Sequence, residues 1–479
     1  MASSLSGKHV LVLGLGLHGG AVGTILWLVK QGAVISVSDT KTKEQLAPSI
    51  EKLKDIPNIT YLFGSQDNLD LDKIDIIIRG PAVPRNSIIL QRAKEKNIPI
   101  EMDSSLFFEY SESKNIIGIT GSKGKTTASS AISAVMNAIN ADTMTVGVDG
   151  VSPLGALTPL QPSLEELRPA GTPFADMPIV FELSSWRLEA LQEKKISPHI
   201  AVVTSIYNDH LNTYSSYEEY IDTKKQIIQD QTENDIAILN TDDEIIRGWK
   251  MSVKGQLYLY SLQPLQKGEL GVWVEKDTIF VRTKADFLQL SICSVKDIPH
   301  TSEHELRNKL PAILIGVLFK ADSLTIVLAL QKAPVLKHRL QLIRTLNGVN
   351  YINDSAATIP DATIAAIESI QEQPIILILG GSDKHLEFAL LAGKISSHAN
   401  LKHIIWLPGT ATKKMQEIVT PLTKAAHYDV STMDEAVLKA YALAKEGDTV
   451  LLSPGATSFG LFLHEFDRGD AFIKAVEQL

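Results

Sequence analysis

A glycine-rich segment in the first third of the chain carries the strongest chemical signal. The segment "TGSKGKT" (residues 120–126) follows the apolar run "NIIGI" and leads into a helical pattern. Such a loop lets backbone N–H groups converge on phosphates, while Lys125 supplies charge to β/γ oxygens and the Thr126 hydroxyl binds Mg²⁺. The usual motif has glycine where Ile119 stands, and a chance glycine-rich turn is the alternative. We predict a phosphate loop made of Gly121, Ser122, Lys123, Gly124, Lys125, Thr126 and Thr127.

Two further polar residues follow apolar, strand-like runs and could hold a metal. Glu182 ends "PIVFEL", and His210 comes shortly after "HIAVVTSI". An acid at a strand end beside a phosphate loop is well placed to bind magnesium, although alone it is more often a surface or capping residue. We expect the two strands to lie near each other, which predicts a second, mixed N/O magnesium site at His210. By pattern alone, Lys224 and Lys225 are solvated lysines of a helix.

The N-terminus carries a second nucleotide-like pattern. The stretch "KHVLVLGLGLHGGAVG" (residues 8–23) places Gly14, Gly16 and Gly19 between a strand and a helix, and Asp39 follows a second apolar run. This spacing is the fingerprint of a dinucleotide-binding fold, in which the acid takes a ribose hydroxyl. An NAD-dependent oxidoreductase is therefore one hypothesis, although it leaves the phosphate loop unexplained. A non-catalytic nucleotide-binding protein is another.

The elements that must position these residues alternate between strands and helices. The pattern predicts an α/β protein of three domains, with limits at 1–112, 113–336 and 337–479. The first and last are Rossmann-like. The central one resembles P-loop ATPases and adds a small set of antiparallel strands near residues 257–295. Residues 158–176, rich in Pro and Gly, are interpreted as a flexible insertion.

Composition excludes several classes of function. The net charge of −9 provides no basic excess for a nucleic-acid surface. The one cysteine, Cys293, excludes an internal disulfide, and a small buried residue is the expected role. The apolar stretch 310–330 is broken by Lys320 and Asp322, which predicts two buried helices rather than a membrane span. Since the N-terminus also lacks the apolar core of a signal peptide, we expect a cytoplasmic protein.

Nine segments in order along the chain resemble the Mur ligase family. They are "GITGSKGKTT", "FELSSWRLE", "NDHLNTYSSYEEYIDTKKQI", "LNTDD", "HELRN", "HRL", "NDSAAT", "GGSDK" and "LLSPGATSFGLFLHEFDRG". Each motif is weak alone, whereas the ordered set over the full chain is specific. The resemblance implies a bacterial, cytoplasmic ligase of peptidoglycan synthesis, and hence of cell-wall growth, cell shape and division.

The resemblance also implies a reaction and its ligands. ATP would phosphorylate the alanine carboxylate of UDP-N-acetylmuramoyl-L-alanine, and the amine of D-glutamate would attack the acyl phosphate. Two Mg²⁺ ions would be held by Thr126, Glu182 and His210, and Lys224 matches a lysine that is carbamylated in the family. Lys125, Glu182, His210 and Lys224 would then carry the catalysis. No nucleic acid, no membrane span and a monomer are expected.

Further contacts are carried over from the resemblance residue by residue. Asn308, Arg339 and Asp354 would bind ATP. The uracil end of the substrate would be surrounded by Leu17, His18, Asp39, Thr40 and Lys41. Ser184 would contact the same substrate, and Arg187, which stands where relatives usually have glutamine, would be a replacement cation on its diphosphate. The glutamate pocket would consist of Thr358, Lys384, Ser458 and Phe466.

One departure leaves the identity of the amino acid open. Ala356 stands where relatives usually have lysine in "NDSKAT", which removes a charge close to the amino acid and the phosphates. A sibling ligase with a different amino acid is therefore an alternative to D-glutamate addition.

Overall fold

The computed structural model describes most of the chain, in two compact units. The described residues are 4–17, 19–66, 69–81, 83–148, 151–157, 177–207, 214–284, 289–300, 302–370, 373–384 and 386–479. The first unit comprises the described residues within Met1–Tyr207, Ser216–Pro299 and Leu306–Ala333. The second comprises those within Asn208–Ser215, His300–Glu305 and Pro334–Leu479. The insertion predicted at 158–176 lies outside the described residues.

A five-stranded parallel sheet forms the N-terminal part of the first unit. Its order is β3-β2-β1-β4-β5, which matches the first five strands of the dinucleotide-binding order 3-2-1-4-5-6. The strands are β1 (His9–Leu13), β2 (Val34–Asp39), β3 (Thr60–Phe63), β4 (Ile76–Arg79) and β5 (Ile100–Glu101). The helices are α1 (Gly20–Lys30), α2 (Ala47–Glu51), α3 (Ile88–Glu95) and α4 (Asp103–Tyr110). The apolar runs around β1, β2 and β4 are buried, as the sequence predicts.

A nine-stranded sheet forms the rest of the first unit. Its order is β14-β13-β12-β11-β10-β9-β6-β8-β7. The strands are β6 (Ile116–Thr120), β7 (Met144–Val146), β8 (Ile179–Glu182), β9 (Ile200–Val203), β10 (Ile236–Asn240), β11 (Gln256–Ser261), β12 (Gly271–Glu275), β13 (Thr278–Arg282) and β14 (Leu290–Ser294). The helices are α5 (Lys125–Ile139), α6 (Ser185–Lys194), α7 (Tyr217–Gln229), α8 (Glu244–Arg247), α9 (Glu303–Leu318) and α10 (Ser323–Gln331).

The predicted antiparallel strands are part of this same sheet rather than a separate one. Strands β12, β13 and β14 pair antiparallel, but β11 is parallel to both β10 and β12. The parallel pairing of Leu259 with Gly271 joins the two regions, and no period-2 pattern in the sequence could reveal that junction. Cys293 lies half-buried in β14, and burial raises the pKa of its thiol to about 11.

The apolar stretch 310–330 forms the end of α9 and most of α10, which confirms two helices. Among the residues that the structure describes, no helix has both the length and the apolar character needed to cross a bilayer.

A six-stranded sheet fills the second unit. Its order is β15-β16-β20-β17-β18-β19, parallel except for the pairing of β15 with β16. The strands are β15 (Gln341–Leu346), β16 (Val349–Asn353), β17 (Ile375–Leu379), β18 (Leu401–Trp406), β19 (Ala426–Asp429) and β20 (Thr449–Leu452). The helices are α11 (Pro360–Ser369), α12 (Ala389–Ser397), α13 (Thr410–Val419), α14 (Met433–Leu443) and α15 (Glu465–Glu477). The α/β class and the Rossmann-like character of the end domains are confirmed, whereas the limits at 112 and 336 stay predictions.

The first two sheets share one hydrophobic core within the first unit. Phe107 of α4 packs edge-to-face on Phe181 of β8, with ring centroids 5.1 Å apart. Both rings are fully buried, in a cluster that also contains residues of α1 and β9. Helix α6 adds four ion pairs to residues of the N-terminal part, namely Arg79–Glu189, Arg85–Glu189, Asp103–Arg187 and Glu101–Lys194. The strand that ends at Glu182 is therefore held against the N-terminal part by packing and by charge.

Candidate active site

The predicted strand–loop–helix at residues 116–139 is present. The backbone leaves β6 through Gly121 (φ 150°) and Gly124 (φ 85°), and α5 begins at Lys125. A Cβ on Gly124 would lie 2.5 Å from the side-chain amide of Asn308. Glycine is therefore required at 124 both by the left-handed backbone and by the approach of Asn308. The resemblance assigned Asn308 to ATP, and the fold brings it to this loop.

The loop is braced by the segment that follows β9. The backbone N–H of Ser122 donates to the carbonyl of Ser205 at 2.6 Å, and the Thr204 hydroxyl donates to the carbonyl of Lys123 at 2.6 Å. The Ser122 hydroxyl accepts from the N–H of Tyr207 at 2.9 Å and lies 2.9 Å from the Tyr220 hydroxyl. These hydrogen bonds fix the loop against the segment that follows β9.

Two lysines meet under the loop. The Lys125 ammonium donates to the carbonyls of Gly121 at 3.0 Å and Ser122 at 3.2 Å. The Lys224 ammonium donates to the same Gly121 carbonyl at 3.0 Å and lies 3.4 Å from the Thr120 hydroxyl. Lys224 Nζ also lies 5.4 Å from the centre of the Tyr220 ring.

The helix pattern predicts a solvent-exposed Lys224, and this prediction is wrong. Its side chain is among the largest fully buried ones in the described chain, at 2% exposure. The reason is that α7 turns the face carrying Tyr220 and Lys224, one helical turn apart, toward the phosphate loop. Lys225, the next residue, is only partly buried, as the pattern predicts.

Glu182 lies on the strand beside the loop. In the parallel pairing of β6 with β8, Ile119 is opposite Glu182, and on the other side of β6, Thr120 is opposite Val203. Strands β8 and β9 thus flank the phosphate loop, as expected. His210 follows β9 in the sequence but lies outside the described residues.

The environment of Glu182 fits a divalent cation. Its Oε2 atom is buried and has no hydrogen-bond partner among the described residues. A buried carboxylate oxygen without a donor is costly, and a hard cation such as Mg²⁺ satisfies it. Within the described residues, no group of three His, Cys, Asp or Glu side chains gathers as a metal site.

The N-terminal glycine turn is closed by Asp39. One carboxylate oxygen accepts the N–H of Gly16 at 3.0 Å and the other accepts the N–H of Lys41 at 2.9 Å. The acid thus shapes the turn from within, in contrast to the ribose contact expected of a dinucleotide site. Beside it, Leu17 is partly buried and Thr40 and Lys41 are exposed, whereas His18 lies outside the described residues.

Arg187 is largely buried within the first unit. Its guanidinium forms a two-pronged pair with Asp103 at 3.2 and 2.8 Å, and donates to the carbonyls of Gly147 and Glu182 at 2.7 and 3.3 Å. The charge of Asp103 raises the pKa of Arg187, although burial alone would lower it. Ser184 caps α6 by accepting the Arg187 N–H at 3.4 Å.

Three loops of the second unit converge at the carboxyl ends of its strands. The N–H of Gly455 donates to the carbonyl of Ala357 at 3.0 Å, and the N–H of Ser382 donates to the carbonyl of Thr457 at 2.8 Å. These links bring together the loops that carry three of the residues assigned to the amino acid, namely Thr358, Lys384 and Ser458. The fourth, Phe466, lies in the first turn of α15.

Arg468 donates hydrogen bonds to two of these loops, and it is not among the site residues predicted from the sequence. The guanidinium is 1% exposed, and it donates to the Ser355 hydroxyl and carbonyl at 3.0 and 2.8 Å and to the Ala456 carbonyl at 3.0 Å. Burial lowers the pKa of Arg468 to about 10. Nearby, the carboxylate of Asp354 accepts from the Leu340 N–H at 3.2 Å and the Ser453 hydroxyl at 2.8 Å, and Arg339 is partly buried. Arg468 lies within the motif "LLSPGATSFGLFLHEFDRG", but local spacing does not distinguish it from a surface arginine of a helix.

Three family models match successive parts of the chain. They are the Mur ligase MurD-like N-terminal domain over residues 8–101, the Mur ligase middle domain over 119–316, and the Mur ligase glutamate ligase domain over 338–455.

Full-length relatives carry one common name, UDP-N-acetylmuramoylalanine–D-glutamate ligase. The protein of that name from Roseiflexus sp. (strain RS-1) is 36% identical over 484 residues, which cover 99% of both chains. The one from Clostridioides difficile (strain 630) is 32% identical and also covers 99% of both chains.

Solved structures share the fold at lower sequence identity. The UDP-N-acetylmuramate-alanine ligase MurC from Thermotoga maritima is 19% identical, with a TM-score of 0.61 over 98% of this chain and 99% of that one. The MurF ligase from Thermotoga maritima in complex with ADP is 15% identical, with a TM-score of 0.57 over 100% and 97%.

Proposed function

This chain belongs to the Mur ligase family, and from that premise we propose that it joins D-glutamate to UDP-N-acetylmuramoyl-L-alanine with ATP, in peptidoglycan precursor synthesis. The observation that carries the proposal is the full-length identity of 36% to a ligase with this name. The phosphate loop supports it independently, because it lies beside a buried Glu182 oxygen that has no hydrogen-bond partner among the described residues, and that arrangement suits a metal-bound triphosphate.

The reaction proceeds in two steps that conserve every atom. The alanine carboxylate attacks the γ-phosphorus of ATP, the bond from that phosphorus to the β,γ-bridging oxygen breaks, and ADP leaves. The amine of D-glutamate then attacks the acyl phosphate, and the tetrahedral adduct collapses to the amide with loss of inorganic phosphate and a proton. Positioning and charge neutralisation provide most of the rate enhancement in such phosphoryl transfers.

The phosphate loop binds ATP in this proposal. Residues 121–127 would surround the phosphates, with the N–H groups of Ser122 and Lys123 already bonded to Ser205. Lys125 would neutralise the transferred γ-phosphoryl group, and Asn308 would contact the nucleotide beside Gly124. Arg339 and Asp354 are assigned to ATP by the resemblance. Mg²⁺ supplies charge to the transferring phosphoryl group, and Thr126, Glu182 and His210 are the residues proposed to hold two such ions.

Lys224 is proposed to be carbamylated. The ammonium would first lose one proton, and the resulting neutral amine would add CO₂ and release a second proton as the carbamate forms, so that a cation becomes an anion. The change removes the repulsion between two ammonium groups that share the Gly121 carbonyl, and the remaining N–H can keep that hydrogen bond. The carbamate oxygens would support magnesium.

The other substrates take the remaining assigned residues. Asp39 shapes the turn in which Leu17, His18, Thr40 and Lys41 would surround the uracil. In the second unit, Lys384 pairs with a carboxylate of the incoming amino acid, beside Thr358, Ser458 and Phe466. The protein is proposed to act as a monomer in the cytoplasm.

A panel of amino acids tests the substrate assignment. Purified protein with UDP-N-acetylmuramoyl-L-alanine, ATP and Mg²⁺ should release phosphate with D-glutamate and yield a product whose mass rises by one glutamyl residue. Release with another amino acid and not with D-glutamate would favour the sibling ligase that Ala356 leaves open. Tight binding of NADH without phosphate release would instead favour an oxidoreductase.

A further inference from the structure

The guanidinium of Arg187 connects three parts of the first unit. It pairs with Asp103, the first residue of α4 in the N-terminal part. It also donates to the carbonyl of Gly147, just beyond β7, and to the carbonyl of Glu182 at the end of β8. The strand end that carries the proposed metal ligand is thereby tied directly to the N-terminal part of the unit.

The donors of Arg187 are almost fully used by these contacts. A guanidinium has five N–H groups, and four hydrogen bonds to Asp103, Gly147 and Glu182 leave at most one N–H for a ligand. The ring of Phe181 lies 5.7 Å from the guanidinium carbon. A direct contact with a substrate diphosphate could use only that one N–H unless a hydrogen bond of this arrangement breaks.

The contacts of Gly147 show how closely this residue packs against the end of β8. A Cβ added there would lie 2.6 Å from the Glu182 carbonyl oxygen and 2.8 Å from the Phe181 ring. The backbone at 147 therefore runs directly against the end of β8. Arg187 bridges the two carbonyls that this approach brings together.

We infer that the buried Arg187–Asp103 pair is a positioning device, which fixes the end of β8 so that the Glu182 carboxylate is aimed at the cation. The inference rests on the proposed role of Glu182 as a metal ligand. It assigns Arg187 to the protein's own framework and not to the diphosphate. A planar, two-pronged pair holds direction as well as distance, which a lysine in the same place would not do.

A double-mutant cycle tests the inference. The variants are Arg187→Gln, Asp103→Asn and the two combined. Because the combined variant leaves no unpaired buried charge, it keeps the test possible if either single variant folds poorly. The readouts are the affinity for Mn²⁺ with ADP by isothermal titration, the kcat, the KM for the UDP substrate, and thermal unfolding. Lys194→Gln and Glu101→Gln provide the matched control, because that pair also joins α6 to the N-terminal part but does not contact Glu182.

The expected result is coupling between the two residues. Each single variant should weaken Mn²⁺ binding and lower kcat at least tenfold, with little change in the KM for the UDP substrate, and the combined variant should be no worse than the poorer single one. The control pair should stay within about twofold of wild type. A Glu182→Gln variant should lose Mn²⁺ binding outright.

Other outcomes overturn one proposal or the other. If Arg187→Gln raises only the KM for the UDP substrate while Asp103→Asn behaves as wild type, Arg187 is a substrate contact and the inference is wrong. If wild-type protein shows no ligase activity with any amino acid, the proposed function is wrong. The Mn²⁺ affinities of the variants still test whether the Arg187–Asp103 pair positions the Glu182 carboxylate. If Mn²⁺ binds equally to all variants, the inference is wrong whatever the activity.

Discussion

Lys125 and Lys224 donate to one and the same carbonyl oxygen, that of Gly121, each at 3.0 Å. The two lysines come from different helices, and the carbonyl belongs to the loop that is proposed to hold the phosphates. Two ammonium groups that share one acceptor repel each other at short range, and the repulsion is stronger where water is excluded. The buried Lys224 is the lysine that is proposed to be carbamylated.

Replacement of Lys224 tests its proposed role as a carbamate that supports magnesium. Lys224→Ala should lower kcat by roughly two orders of magnitude, because it removes the group proposed to support magnesium. Acetate or formate should restore part of the activity by occupying the vacated space as an anion. Lys225→Ala is the control and should match wild type. Full activity in Lys224→Ala, or no recovery with any short carboxylate, would contradict the carbamate.

The hydroxyl of Tyr220 should help to shape the phosphate loop. It lies 2.9 Å from the Ser122 hydroxyl, and the Tyr220 side chain is 1% exposed. Tyr220→Phe should raise the KM for ATP several-fold and lower the free energy of unfolding by about 1 kcal/mol, the usual net worth of such a hydrogen bond. Urea unfolding and initial rates measure both effects. Tyr258→Phe, whose hydroxyl lies 3.5 Å from Gln256, is the control and should change neither.

Glycine at position 124 should be indispensable for nucleotide binding. Gly124→Ala places a Cβ 2.5 Å from the Asn308 amide at a residue with φ of 85°, so both the loop and Asn308 must move. We expect loss of ATP binding by equilibrium dialysis. Gly393→Ala, a helical position with nothing within 4 Å of the new Cβ, should instead stabilise the protein by about 0.5–1 kcal/mol. Normal ATP affinity in Gly124→Ala would show that the nucleotide binds elsewhere.

Cys293 should be chemically inert near neutral pH. With the pKa of its thiol raised to about 11, the reactive thiolate is scarce at pH 8 and increases as the pH rises toward that value. Alkylation with iodoacetamide should therefore be slow at pH 8 and should speed up about tenfold for each pH unit up to about pH 10. Cys293→Ser should retain full ligase activity. Rapid inactivation by iodoacetamide at pH 7 would contradict a purely structural role.

The parts of the site that the sequence predicts are those encoded by local spacing. The phosphate loop follows from seven consecutive residues, and Glu182 follows from its place at the end of an apolar run. The burial of Lys224 depends on which face α7 turns to the loop, and the Arg187–Asp103 pair joins residues 84 positions apart. Such contacts are set by tertiary packing, so no local pattern could predict them. The contacts of Arg468 could not be predicted for the same reason, because its partners Ser355 and Ala456 lie in loops distant in sequence or outside its helix.

Transfer of oxygen from the carboxylate of the UDP substrate to phosphate tests the proposed acyl-phosphate reaction most directly. With both oxygens of the alanine carboxylate labelled with ¹⁸O, we expect each released phosphate to carry one ¹⁸O atom and ADP to carry none, as measured by mass spectrometry. Phosphate without label, or label recovered in AMP, would contradict activation of the carboxylate by γ-phosphoryl transfer at the site of Lys125, Glu182 and Lys224.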